Sequence, residues 1–241
     1  MIVSINQPAY MPWLGYLDRI AASDVHVVLD HVQFEKGSFV NRNRIRTPSG
    51  TAWLTVPVAT SGQFGALPIN ELTWADGGRW RRKHLATIQA NYARAPHYPP
   101  HQAFFSELLQ TDREDSRFAP LTDELTRYLL DTFGIDTPLV PSHTLGIDTT
   151  KSELVLDICK ALNATAYLSG PLGRNYLDVA SFVRAGIDLH FHDYDPQPYA
   201  QCWPGFESHL AALDALSCLP PDEAASVMRS GRRMTARAGE N

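Results

Sequence analysis

Cysteine is scarce in this sequence. Cys159, Cys202 and Cys218 are the only three among 241 residues. An odd number of cysteines without paired spacing argues against a disulfide framework and against a zinc module built on cysteine ligands. We therefore expect the thiols to stay reduced.

Long apolar runs and an excess of basic residues are also missing. No window approaches the roughly 20 apolar residues that a membrane-spanning helix needs. Lys plus Arg number 21 against 26 Asp plus Glu, a formal net charge of −5, which argues against a general nucleic-acid binder. The first residues read as a strand rather than as a charged leader. We expect a cytoplasmic protein with no membrane span and no nucleic-acid partner.

The residues that are present are typical of a folded enzyme or binding protein. Hydrophobic residues make up 44% and charged residues 20% of the chain, as in ordinary globular domains. The length suffices for one or two domains. We predict a single α/β domain over residues 1–220. Residues 221–241 read as a polar helix and a frayed tail, because their arginines stand next to small residues.

Strands and helices alternate at both ends of the chain. Residues 2–5 and 25–30 are rich in β-branched residues, and residues 14–22 between them have helical spacing. The second half repeats the alternation, with strands at 164–168 and 187–192. Residues 46–135 read as an inserted hairpin and helical segment, or lid. This order predicts an α/β fold with a parallel or mixed sheet covered by helices on both faces.

Polar and aromatic side chains follow the predicted strands. In a parallel sheet the carboxyl ends of the strands share one edge, where ligands commonly bind. We therefore expect a small-molecule site at this edge. Its candidate residues are Gln7, Tyr10, Trp13, Asp30 and Gln33 in the first half, Asn41 and Arg42 after it, and Ser169, Gly170, Arg174 and Tyr176 in the second half.

One histidine lies on an apolar helical stripe. Trp80, His84, Ile88 and Tyr92 recur at four-residue spacing, which places them close to one face of a helix. His84 in this position is either a hydrogen-bonded core residue or a general base. Both interpretations stay open at this point.

Several motifs resemble the WbqC-like family. The run at residues 7–16 reads Gln-Pro-Ala-Tyr-Met-Pro-Trp-Leu-Gly-Tyr, and residues 29–36 and 41–45 continue the match with Leu-Asp-His-Val-Gln-Phe-Glu-Lys and Asn-Arg-Asn-Arg-Ile. Weaker similarity continues to about Asp214. Members of this family occur among bacterial genes for O-antigen, amino-sugar and specialised-metabolite assembly, so the resemblance implies a biosynthetic context.

The sequence lacks the motifs of several reaction classes. It contains neither a phosphate-binding loop of the Gly-x-x-x-x-Gly-Lys-Ser/Thr type nor a dinucleotide fingerprint. His190 and His192 share a strand face with Asp188, but ordinary strand alternation explains them. We predict no metal and no cofactor.

We hypothesise an acyl or aminoacyl transferase that uses a thioester donor and a small-molecule amine acceptor. Direct transfer between the two requires only a general base and hydrogen-bond donors to the acyl oxygen. His84 is the predicted base, with Asp30 or Tyr10 as orienting or proton-relay groups. The other candidates are predicted substrate contacts, and an acyl carrier protein is a candidate partner. Two alternatives stay open: a nucleotidyl- or adenylyl-transfer enzyme, and a non-catalytic protein that binds a carrier protein or a nucleotide sugar.

Overall fold

A six-stranded sheet organises the chain in the computed structural model, which describes residues 1–60, 67–110 and 116–236. The strands are β1 Ile2–Asn6, β2 Val25–Val28, β3 Arg42–Thr47, β4 Gly50–Thr55, β5 Leu139–Pro141, β6 Ala166–Ser169, β7 Asp188–Tyr194 and β8 Arg232–Ala236. The helices are α1 Leu14–Ala21, α2 Arg79–Tyr92, α3 Pro99–Leu108, α4 Phe118–Phe133, α5 Lys151–Ala161, α6 Val179–Arg184, α7 Leu213–Cys218 and α8 Pro221–Ser230. Short 3₁₀ turns cover Ile69–Glu71, Ser142–Leu145 and Pro171–Asn175.

The sheet has the strand order β5-β2-β1-β6-β7-β8. All its pairings are parallel except that of β7 with β8, which is antiparallel. On one face, Val3, Tyr167 and Leu189 pack with the apolar sides of α5 and α6. On the other face, Tyr16 of α1 contacts the ring of His26. The predicted α/β class, with a mixed sheet between helices, is confirmed.

The segment between β2 and β5 adds a hairpin and three helices. Strands β3 and β4 form a separate two-stranded sheet, and α2, α3 and α4 follow it. Ile88 and Leu125 of this segment share a buried apolar cluster with Leu17 of α1. Helix α4 ends at Gly134, which adopts a left-handed conformation with φ 63°, as a carboxyl-cap glycine does. The segment is therefore packed on the first strand–helix unit.

The last described residues differ from the expected polar helix and frayed tail. Helix α8 buries Ala224 and Met228, and residues 232–236 form the edge strand β8. The frayed-tail prediction was wrong for this strand, because the guanidinium of Arg232 donates hydrogen bonds at 2.8–3.2 Å to both carboxylate oxygens of buried Asp18. Residues 237–241 lie outside the described residues, and the domain boundary at residue 220 stays a prediction. Among the helices that the structure describes, none is long and apolar enough to cross a membrane.

Candidate active site

Asp30 lies at the carboxyl edge of the sheet, just after β2, and is 5% exposed. Its Oδ1 accepts hydrogen bonds from the Ser142 hydroxyl and from the backbone N–H of His143, each at 3.0 Å. Its Oδ2 lies 2.6 Å from the Nδ1 of His143. Because β5 pairs in parallel with β2, the turn after β5 delivers both residues to Asp30. The carboxylate is thus fixed by three contacts.

His143 presents its second ring nitrogen away from Asp30. A carboxylate accepts but cannot donate, so Nδ1 carries the proton and Nε2 of the neutral ring keeps its lone pair. No hydrogen bond to Nε2 is formed within the described part of the chain, and the side chain is 47% exposed. An oriented imidazole with one free nitrogen is the arrangement that a general base or acid requires.

A cavity of about 380 Å³ opens beside this pair. That volume is in the range of small-molecule sites, about 300–1,000 Å³. Pro8 and Tyr16 line it on the β1 side, while Thr122 and Thr126 of α4 line it on the other. Helix α4 therefore forms one wall of the cavity, and the loop between β1 and α1 contributes to another.

Asn70 contributes an unused polar atom to the cavity. It lines the cavity, and its Oδ1 is buried without a hydrogen-bond partner. A buried acceptor that has lost water costs about 1–3 kcal/mol unless a donor pairs with it. A ligand with an N–H or O–H group could supply that donor.

The predicted base His84 lies elsewhere, in the core. It is 4% exposed, its Nδ1 lies 2.9 Å from the hydroxyl of Tyr10, and the ring also interacts with the backbone of Thr55. Burial, with a smaller contribution from Lys83, lowers the pKa of His84 to about 4. Tyr10 is fully buried, and burial raises the pKa of its phenol.

Neither His84 nor Tyr10 lines the Asp30 cavity. The structure therefore separates the three predicted catalytic residues into two groups. Of these, only Asp30 stands at the cavity.

Several predicted substrate contacts instead hold the backbone of nearby loops. The carboxamide of Gln33 donates to the carbonyl of Phe34 and accepts from the N–H of Leu67. Asn41 donates to the carbonyl of Val56 at 2.8 Å. Arg42 donates to the carbonyl of Gly37 and lies 4.5 Å over the ring of Trp53. Each of these side chains therefore has a partner within the protein, although the Oδ1 of Asn41 and the Nε of Arg42 are buried without one.

Gln7 and Trp13 are the first and last residues of the loop that connects β1 to α1. The carbonyl of Gln7 accepts a hydrogen bond from Tyr16, which lines the cavity. Trp13 contacts the rings of Tyr194 and His209. The structure therefore places Gln7 next to the Asp30 cavity and places Trp13 in a separate aromatic cluster.

The predicted residues of the second half gather after β6. Ser169 is buried and donates to the carbonyl of Gly170, while Tyr176 is 49% exposed. Arg174 forms two hydrogen bonds to Asp193, at 2.9 and 2.7 Å. This group shares the sheet edge with Asp30, but β1 separates the two. Arg174, predicted as a substrate contact, already has a carboxylate partner.

His143, Ser142 and Asn70 were missed by sequence reasoning. A signal was present for the first two, because the apolar run that forms β5 ends at Pro141 and both residues follow it. Within the described residues, no group of three or more histidine, cysteine, aspartate or glutamate side chains is placed to hold a metal ion.

Comparisons with known proteins identify the family. The model of the WbqC-like protein family matches residues 7–226. The chain belongs to this family. A relative from Mycobacterium tuberculosis (strain ATCC 25618 / H37Rv), named "Uncharacterized protein Rv1507c", is 34% identical over 215 residues, which cover 89% of this chain and 92% of that protein. No solved structure matches the chain. The resemblance stated from the first motifs is confirmed, and the matched region of this WbqC-like protein includes Asp30, Asn70 and His143.

Proposed function

We propose that this WbqC-like protein is a transferase that moves an acyl or aminoacyl group from a thioester to an amine, with His143 as its general base. The observation that carries the proposal is the Asp30–His143 pair beside the cavity. We place the reaction in amino-sugar, O-antigen or specialised-metabolite assembly, the context that the family resemblance implies.

In the proposed reaction the amine nitrogen attacks the thioester carbonyl carbon and loses a proton to Nε2 of His143. The tetrahedral intermediate then breaks its C–S bond, and the departing sulfur takes the proton from the imidazolium. The products are an amide and a thiol, and His143 is neutral again. Asp30 stabilises the imidazolium in between and keeps the ring oriented. A positioned base of this kind typically contributes about 10²–10⁴-fold in rate.

The unpaired oxygen of Asn70 supports an amine as the acceptor. An amine N–H placed in the cavity would satisfy this oxygen, whereas a ligand with acceptors only would leave it unpaired. The mixed apolar and polar lining of the cavity also suits a small ligand that is held by few polar contacts.

The test measures thiol release from a panel of acyl thioesters in the presence of amines. His143→Ala should lower kcat by about 10²–10⁴-fold while the folded protein is retained, because the side chain is half exposed. Thr144→Ala is the matched control, since the exposed Thr144 hydroxyl donates, within the described residues, only to the carbonyl of Pro141. Full turnover by His143→Ala would contradict the proposal. So would binding of amines and thioesters without any turnover by the unaltered protein, which would favour a non-catalytic binder.

A further inference from the structure

A second group of polar residues lies at the sheet edge, around Arg19. The side chain of this α1 residue reaches the backbone after β6. A Cβ atom added to Gly170 would lie only 2.1 Å from its Nη1. The guanidinium thus occupies the space that the missing side chain of Gly170 leaves open.

Arg19 has no counter-charge among the residues that the structure describes. Over the ranges that the structure covers, no residue accepts a hydrogen bond from it or pairs with it as an ion, and its Nε is buried without a partner. Its electrostatic neighbours are the phenols of Tyr16, Tyr167 and Tyr176. By contrast, Arg174 is paired with Asp193 and Arg232 with Asp18.

A charge without a partner is costly even where, as for Arg19, the side chain is only partly buried. Burial lowers the pKa of the Arg19 guanidinium, because leaving water disfavours the charged form. Proteins normally pair such a charge. An anionic ligand would supply the missing partner.

The place of Arg19 in the fold also indicates a ligand. From the adjacent strands β1 and β6, the chain continues in opposite directions across the sheet: β1 leads through α1 to β2, and β6 leads through α6 to β7. In open α/β sheets the crevice at such a switch point, outside the carboxyl ends of the strands, is a common ligand site. Arg19 and Gly170 lie at this crevice.

We propose that Arg19, which lies beside Gly170, and the half-exposed phenol of Tyr176 bind a phosphate group of the substrate. The guanidinium offers a fork of donors that matches two phosphate oxygens. The hydroxyl of Tyr16 already donates to the carbonyl of Gln7, but the phenol of Tyr176, which is 49% exposed, can donate to a further oxygen. A phosphate therefore uses the site more fully than a carboxylate does.

The phosphate site and the Asp30–His143 cavity are close enough for one substrate. Strand β1 lies between β2 and β6, and neighbouring strands are about 4.8 Å apart, so the two sites are about 10 Å apart across the sheet. Assigning the phosphate to the thioester donor or to the acceptor rests on the proposed function. Phosphate binding itself does not, and it can be measured without turnover.

Calorimetric titration of the full chain tests the site, with inorganic pyrophosphate, coenzyme A and a uridine diphosphate sugar as probes, at constant ionic strength. We expect saturable binding of at least one probe by the unaltered protein, and a loss of about tenfold or more in affinity in Arg19→Met. Preference for coenzyme A would assign the phosphate to the donor, and preference for the sugar nucleotide to the acceptor. Arg184→Met is the matched control, because Arg184 is 70% exposed and lies beside Asp178.

Two further variants keep the outcomes distinct. Arg19→Lys retains a charge and should recover part of the affinity, which separates the loss of a contact from a loss of folding. His143→Ala should bind the probes like the unaltered protein, so a failure of the proposed reaction would leave this result intact. Equal binding by Arg19→Met and the unaltered protein would overturn the inference, as would equal binding of acetate.

Discussion

Two histidines of this protein each place Nδ1 against an oxygen, yet their surroundings differ. His84 contacts the phenol of Tyr10 and is almost fully buried. His143 contacts the carboxylate of Asp30 and is half exposed. Burial lowers the pKa of His84 and so favours its neutral ring, whereas the ring of His143 stays accessible beside the cavity. The partner and the exposure of the ring, rather than the histidine itself, determine which of the two can exchange protons with a ligand.

The strongest test of this comparison after His143→Ala is Asp30→Asn. The new carboxamide oxygen can still accept from Ser142 and from the backbone of His143, so the fold should be kept. Its NH₂ group would face Nδ1 and favour the tautomer with the proton on Nε2. We expect kcat to fall by about 100-fold or more. Steady-state kinetics with circular dichroism as the control for folding measure this effect, and unchanged kcat would remove Asp30 from the mechanism.

The pH dependence of stability tests the other histidine. Its pKa is about 4 in the folded protein against 6.5 for an unperturbed histidine, so the unfolded chain binds the proton first as pH falls. The contribution of neutral His84 is complete above pH 6.5 and is lost progressively down to about pH 4. Its full size is about 3 kcal/mol. Burial also lowers the pKa of His26, to about 3. His26 therefore also reduces the stability of the folded protein as the pH falls.

Urea unfolding at several pH values between 7 and 4 measures the slope of the unfolding free energy against pH. In His84→Asn the slope should be shallower than in the unaltered protein, with His26 and the carboxylates providing the remainder. An identical slope in both proteins would show that the pKa of His84 is the same in the folded and the unfolded chain, and would move His84 back among the candidate bases.

The smallest expected effect is that of Tyr10→Phe. Removing the hydroxyl leaves Nδ1 of His84 without a partner in the core, which costs about 1–3 kcal/mol of unfolding free energy. Chemical denaturation measures the loss. If the variant instead lost as much activity as Asp30→Asn while staying equally stable, the contrast between the two histidines would fail.

Much of the fold could be predicted from local patterns. β-branched runs marked β1 and β2, and four-residue spacing marked α2. Asp30 was also found, because a carboxylate directly after a strand in a parallel sheet must lie at the edge where ligands bind. In each case the information lies within a few neighbouring residues.

The partners of these residues could not be predicted in the same way. Strand β5 has only three residues, and its pairing with β2 joins segments more than a hundred residues apart, so His143 could not be assigned to Asp30. No local pattern singles out Arg19 within the helical run 14–22, because its approach to Gly170 depends on β6 lying beside β1. The polar residues of β8 led to the prediction of a frayed tail. The ion pair of Arg232 with buried Asp18, which lies far away in the sequence, explains why this segment is ordered as a strand.

The pairing of β1 with β6 has a consequence for how the protein is made on the ribosome. The register joins Ile2 to Ala166, so the first strand leaves the exit tunnel long before its neighbour on one side exists. At about 5–20 residues per second, that interval lasts about 8–30 seconds. During this time the nascent chain exposes a strand edge in what becomes the middle of the sheet. Chaperones that shield such edges should therefore matter more for this protein during synthesis than after release.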